Sequence, residues 1–117
     1  MRFSKKNNIY QVIRITGSQD NILGISFAED DLKVNDIEVI GSYSVNSKIK
    51  KIRTSKEEVL RQVLFGLELA NASLGTNYKL SKIYFSPFDI PFNNVYSVLT
   101  SILIRHYHNG NKFIETV

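Results

Sequence analysis

The stretch Ser55 to Leu74, SKEEVLRQVLFGLELANASL, constrains the fold more than any other, because it specifies a helix between two regions that read as strands. Ser55 and Glu58 have the spacing of a capping box. The Ser55 hydroxyl can accept from the Glu58 N–H, and the Glu58 carboxylate can reach back to the cap. The Glu-rich first turn suits the positive end of the helix dipole. Leu60, Val63, Leu64, Leu67 and Ala70 recur at three- and four-residue steps, which defines a face for burial, while Lys56, Arg61, Glu68 and Asn71 lie around the others. Gly75 supplies the left-handed position that ends a helix, and Asn77 comes next in a turn. Gly66 breaks the pattern at a cost of about 1 kcal/mol against Ala, so a neighbouring backbone is expected to pass close to it.

Around that helix, 117 residues leave room for one core, and residues 1–117 are read as a single domain. A hydrophobic content of 43% against 22% charged residues places the chain among packed domains rather than disordered ones. The sequence has no cysteine, which excludes a disulfide framework, a thiolate metal site and a thiol nucleophile. It suits a reducing compartment, with the cytoplasm as the default expectation. The amino terminus has no apolar run that fits a signal peptide, and the run Val95 to Ile104 falls far short of the roughly 20 residues a membrane span needs.

Ile9 to Thr16 reads as a first strand, with Ile22 to Phe27 as the returning arm of a hairpin and Gly24 as a candidate bulge. Ile37 to Val45 gives a third strand with one wet face, and Lys48 to Arg53 fits a short, lysine-protected edge strand. After the helix, Leu80 to Ser86 reads as a strand ended by Pro87. Asp89 or Ile90 is a candidate cap for a second helix. Val95, Val98, Leu99, Ile102, Leu103 and His106 are at helical spacing, with a strand as the competing reading over 95–108, and Lys112 to Glu115 can add a last short strand. Strands that mostly precede helices predict an α+β architecture: an antiparallel sheet of about four to six strands with two helices packed on one face.

The net charge of +4 is segregated along the chain. From Asp20 to Glu38, Asp20, Glu29, Asp30, Asp31, Asp36 and Glu38 form an acidic block opposed only by Lys33, whereas Lys48, Lys50, Lys51, Arg53 and Lys56 come after it with no acid among them. Such a surface can steer a charged partner, although charge runs are more often solvated loops and strand edges. His106 and His108 are two residues apart on a predicted helix and point about 200° apart. They cannot chelate one ion, and capping or surface roles suit them better. The acidic block lacks the glycine and ligand spacing of an EF-hand. No nucleophile elbow, GxGxxG or P-loop is present. The chain is therefore read as a non-enzyme without metal or cofactor. The basic stretch Lys48, Lys50, Lys51 and Arg53, with Tyr84 or Phe85 as a stacking ring, leaves a small nucleic-acid-binding or regulatory domain as the alternative function.

Two segments, KIRTSKEEVLRQVLFGLELA and YFSPFDIPFNNVYSVLTSILIRHYHNG, together resemble the immunity proteins of bacterial contact-dependent growth inhibition and related polymorphic toxin systems. The likeness covers roughly half the chain, and its motifs belong to a scaffold. It implies a cytoplasmic protein that binds a cognate toxin domain and occludes its active site or substrate surface. Many such toxins are nucleases, whose basic surfaces an inhibitor answers with carboxylates, so the resemblance points to Glu29, Asp30, Asp31, Asp36 and Glu38 as toxin contacts. The chain departs from that pattern in being basic overall. A toxin with an acidic face would dock on Lys48, Lys50, Lys51 and Arg53 instead.

Overall fold

The computed structural model describes residues 1–16, 19–29, 36–41, 54–87, 89 and 94–116. Its elements run β1 (Arg2–Lys6), β2 (Ile9–Thr16), β3 (Gln19–Phe27), β4 (Glu38–Gly41), α1 (Lys56–Leu74), β5 (Leu80–Phe85), α2 (Val95–His108) and β6 (Ile114–Glu115). The strands form one sheet in the order β4-β5-β3-β2-β1-β6. The α+β class is as expected, but the sheet is mixed. The inner pairs β1–β2, β2–β3 and β3–β5 are antiparallel, whereas β4–β5 and β1–β6 are parallel. The β4–β5 pair is a consequence of connectivity, since α1 lies between these strands and a parallel pair needs such a crossover.

Side-chain alternation then assigns the two faces of the sheet. The registers Val12↔Leu23, Leu23↔Phe85 and Ile25↔Ile83 put these residues on the face that the helices cover, and all are buried. Val59, Val63, Leu67 and Ala70 from α1 and Leu99, Leu103 and Ile104 from α2 complete the core. Each fully buried aliphatic side chain contributes about 1.5–3 kcal/mol. α2 lies against β2 and β3, while α1 packs on α2 and reaches β4. Ile9, Ile13, Ile22, Ile40 and Tyr84 stand half-buried on the opposite face.

Several local readings gain a physical cause. Ser55 Oγ accepts from the Glu58 N–H at 3.2 Å, but the Glu58 carboxylate does not reach back. It accepts instead from Arg61 Nε at 3.0 Å and Gln62 Nε2 at 2.9 Å, and the Arg61 hydrogen bond holds its pKa down at about 2. Gly75 adopts the left-handed conformation, with φ 67°, and its N–H returns to Asn71 O. At Gly66 a Cβ would collide with the Ser97 carbonyl, so the glycine lets α1 and α2 cross in backbone contact. Gly24 is no bulge. The register shift falls between Ser26 and Phe27, and a Cβ at Gly24 would sit 3.2 Å from Tyr84 Cβ and 3.3 Å from Ile9 Cγ2.

β1 has no counterpart among the strands expected from the sequence, and β3 begins earlier than expected. The predicted strand at Lys48–Arg53 and the end of the one at Ile37–Val45 lie outside the described residues. Asp89 does not cap α2, which begins after Asn94 in a left-handed conformation whose side chain makes no cap hydrogen bond, and the other candidate cap, Ile90, lies outside the described residues. Gln62 takes the capping role from the neighbouring helix: its Oε1 accepts the Tyr96 N–H at 3.1 Å, and its main-chain oxygen accepts from Ser97 Oγ at 2.7 Å. Asp89 Oδ2 accepts instead from the Ile22 N–H at 2.9 Å, and Asp89 O accepts from Thr54 Oγ1 at 3.0 Å. The Tyr96 ring closes this end of the core, with its hydroxyl beside Thr54 and Asn21 but without a well-formed hydrogen bond. Burial, reinforced by the nearby Asp89 charge, pushes the Tyr96 pKa up to about 12.

Candidate functional site

β5 starts at the end of the sheet where β3 stops and β4 begins, because it is antiparallel to the first and parallel to the second. The segment from α1 into β5 is tied down by one side chain. Asn71 Nδ2 donates to Tyr78 O at 3.1 Å, while Asn71 Oδ1 accepts from Tyr78 N–H at 3.0 Å and Thr76 Oγ1 at 2.9 Å. The Asn71 amide thus acts as a short piece of β-ladder that fixes Tyr78 against α1.

Beside this connection lies a groove of about 370 Å³, lined by Ile37, Leu64, Leu67, Glu68, Asn71, Asn77, Tyr78, Lys79 and Leu80. Its floor is aliphatic, and its walls come from α1, the entry to β5 and the residue just before β4. Leu67 and Leu80 are core residues reached from the groove, whereas Leu64 and Ile37 are half-buried. Leu64 stands on the predicted apolar face of α1, but at the margin of the buried arc defined by Val59, Val63, Gly66, Leu67 and Ala70. An apolar stripe wider than the core needs was the only sequence signal for this groove.

Three of the predicted acidic contacts come to this same end. Glu29 succeeds Ala28, whose N–H donates to Lys79 O at 2.8 Å. Asp36 directly precedes Ile37, and Glu38 opens β4 in register with Lys82. All three are exposed, and none makes an ion pair or side-chain hydrogen bond among the described residues. They share an end of the sheet without sharing a face, since alternation along β4 turns Glu38 away from the side to which Ile37 belongs. Glu68, which was not among the predicted contacts, is the carboxylate within the groove lining. Asp30 and Asp31, and the alternative basic set Lys48, Lys50, Lys51 and Arg53, lie outside the described residues.

The end of α2 is also here. Tyr107 packs among Tyr10, Phe27 and Tyr78, with ring centroids 4.9, 4.5 and 5.7 Å away. Burial beside Tyr10 and Tyr78 raises the Tyr107 pKa. His106 stacks on Phe3 at 3.7 Å with planes 6° apart, and its Nε2 lies 2.8 Å from Lys112 O. His108 Nδ1 lies 2.8 Å from the Tyr78 hydroxyl. The histidines do point apart, but His106 is a member of an aromatic cluster rather than a cap or a surface group. Among the described residues no group of His, Asp and Glu gathers that could hold a metal ion.

Of the two candidate stacking rings, Phe85 is in the core at 2% exposure and Tyr84 is half-buried on the other face of the sheet. They form no shared platform. Among the described residues no helix is long and apolar enough to cross a membrane. No protein-family model, curated protein or solved structure matches this chain.

Proposed function

We propose that this chain is a cytoplasmic immunity protein that binds a cognate toxin domain of a contact-dependent growth inhibition system and neutralises it by occlusion. The observation that carries this reading is the placement of Glu29, Asp36 and Glu38, exposed and without ion pairs among the described residues, at the end of the sheet that holds the open groove. Carboxylates without internal partners bias the approach of a cationic surface, and a toxin acting on nucleic acid carries such a surface for its polyanionic substrate. Occlusion requires no reacting group of its own, only a complementary surface held by a packed scaffold. The resemblance of the α1 and α2 segments to immunity proteins supports the same reading.

The test is co-expression with the toxin domain encoded next to this chain's gene. Restored growth and a purified stoichiometric complex are the expected results, and failure of the two proteins to associate would overturn the proposal. In the complex, Glu29→Lys with Asp36→Lys and Glu38→Lys should lower the association rate at least tenfold at low salt and less at high salt, because charge complementarity acts mainly on encounter. An unchanged rate would remove this end from the interface.

A further inference from the structure

We infer that the groove between α1 and the start of β5 is the anchor pocket of that interface, receiving one large apolar side chain of the partner that is flanked by lysine or arginine. This deepens the inhibitor reading and rests on it. The size of the groove supports an anchor. An apolar cavity of about 150 Å³ holds a benzene ring, so about 370 Å³ accepts a Phe, Leu or Met side chain with part of its flanking backbone. Ile37, Leu64, Leu67 and Leu80 offer such a side chain an apolar contact, bordered by Glu68, Asn71, Asn77 and Lys79, and interface energy concentrates in anchors that such a groove receives.

The flanking charge is set by the groove's surroundings. Glu68 lies in the lining and Asp36 adjoins Ile37, while Glu29 and Glu38 stand at the same sheet end outside the lining, Glu38 on the opposite face. Lys79 in the lining and Lys82 opposite Glu38 offset this only in part. The helix dipoles add a second contribution. The last turn of α2 carries Arg105 to answer its negative end, whereas the last turn of α1 carries no basic residue. That α1 turn begins at Asn71 in the groove wall; the Asn71 carbonyl accepts the Gly75 and Thr76 N–H groups, and the remaining partial negative charge of the helix end has no basic residue of the turn to answer it. An acidic peptide would meet Glu68 and this dipole end together and is disfavoured.

The test uses capped synthetic pentapeptides: Phe between two lysines on either side, the same peptide with Ala for Phe, and the same peptide with glutamates for lysines. Each is titrated into the ¹⁵N-labelled protein while backbone amide shifts are monitored. The Lys-flanked Phe peptide should move the amides of Leu67, Asn71, Tyr78 and Leu80 saturably. Replacing Phe by Ala should weaken binding about tenfold or more, and the glutamate peptide should leave these amides unmoved. Glu68→Lys, at an exposed position, should weaken binding of the Lys-flanked peptide, and Asn77→Trp should block it by filling the groove; circular dichroism checks that both variants fold. Equal binding of the acidic peptide, or shifts confined to other surfaces, would overturn the inference. Peptide binding without association with the adjacent toxin would leave the pocket standing and remove the toxin as its partner. Toxin association that is unaffected by Asn77→Trp would do the reverse.

Discussion

Where the helices begin, the sheet end is closed by a polar knot; where they end, it is rimmed by aromatic rings and left open. At the first end, Asp89 bonds Ile22 and Thr54, Gln62 caps Tyr96, and Tyr96 itself is fully buried. At the second, Tyr78, Tyr107 and Phe27 pack in tilted and edge contacts, and Tyr78 also lines a groove whose one carboxylate, Glu68, stays in solvent. Buried hydrogen-bonded groups fix a unique arrangement, since each one left unpaired costs about 1–3 kcal/mol. Exposed charges contribute little to folding and remain available for a partner. Among the described residues, the first end is therefore held by buried polar contacts, and the second keeps its carboxylates in solvent.

The sharpest way to break this contrast is to empty the closed end. Tyr96→Ala removes the fully buried ring there and should destabilise the protein by about 3–5 kcal/mol, read as a lower urea midpoint. A loss below about 1 kcal/mol would mean that this end does not carry the fold. Asn71→Ala, at the open end, should cost about 1–3 kcal/mol because it unpairs Tyr78 and Thr76. Its signature is local, with faster amide hydrogen exchange along residues 76–80 than in β2 and β3.

Alkaline titration separates the ends by a different route. The folded pKa of Tyr96 is raised from 10.0 to about 12, so between those values the folded chain holds a proton that the unfolded chain has lost. The stability from this group is fully present below pH 10 and falls as pH rises toward 12. Tyr96→Phe should flatten that part of the decline in the urea midpoint, leaving the part due to the raised pKa of Tyr107. An identical alkaline profile in the variant would show that the Tyr96 hydroxyl is not held neutral by burial.

How legible each feature was in the sequence depends on the range of the forces involved. Ser55 and Gly75 were legible because a cap is settled by residues within one turn, and the Gly66 crossing because a mid-helix glycine needs a reason. β1 was not, because RFSKK has little apolar alternation and owes its strand to the ladder with β2, where Phe3 faces Val12. Gln62 carries no local signal in the sequence, because its cap on Tyr96 spans 34 residues. At the candidate site the acidic residues could be read as chemistry, but their gathering at one end depends on β4 and β5 being parallel, which neither strand's sequence reveals. The groove was hidden for the same reason, since Ile37 and Leu64 meet only in the fold.

The smallest expected effect on folding is the most specific to the comparison. Asp36→Lys with Glu38→Lys reverses two exposed carboxylates that pair with no described residue, and substitutions of this kind usually stay within about 0.5 kcal/mol. Glu38 faces Lys82 across β4 and β5, so its reversal places like charges opposite one another, a penalty of the order of a few tenths of a kcal/mol. The urea midpoint should therefore hardly move, and raising the salt should recover part of the small loss by screening. A loss above about 2 kcal/mol would mean that these carboxylates are bound into the fold as Asp89 is, and the open end would then be as structural as the closed one.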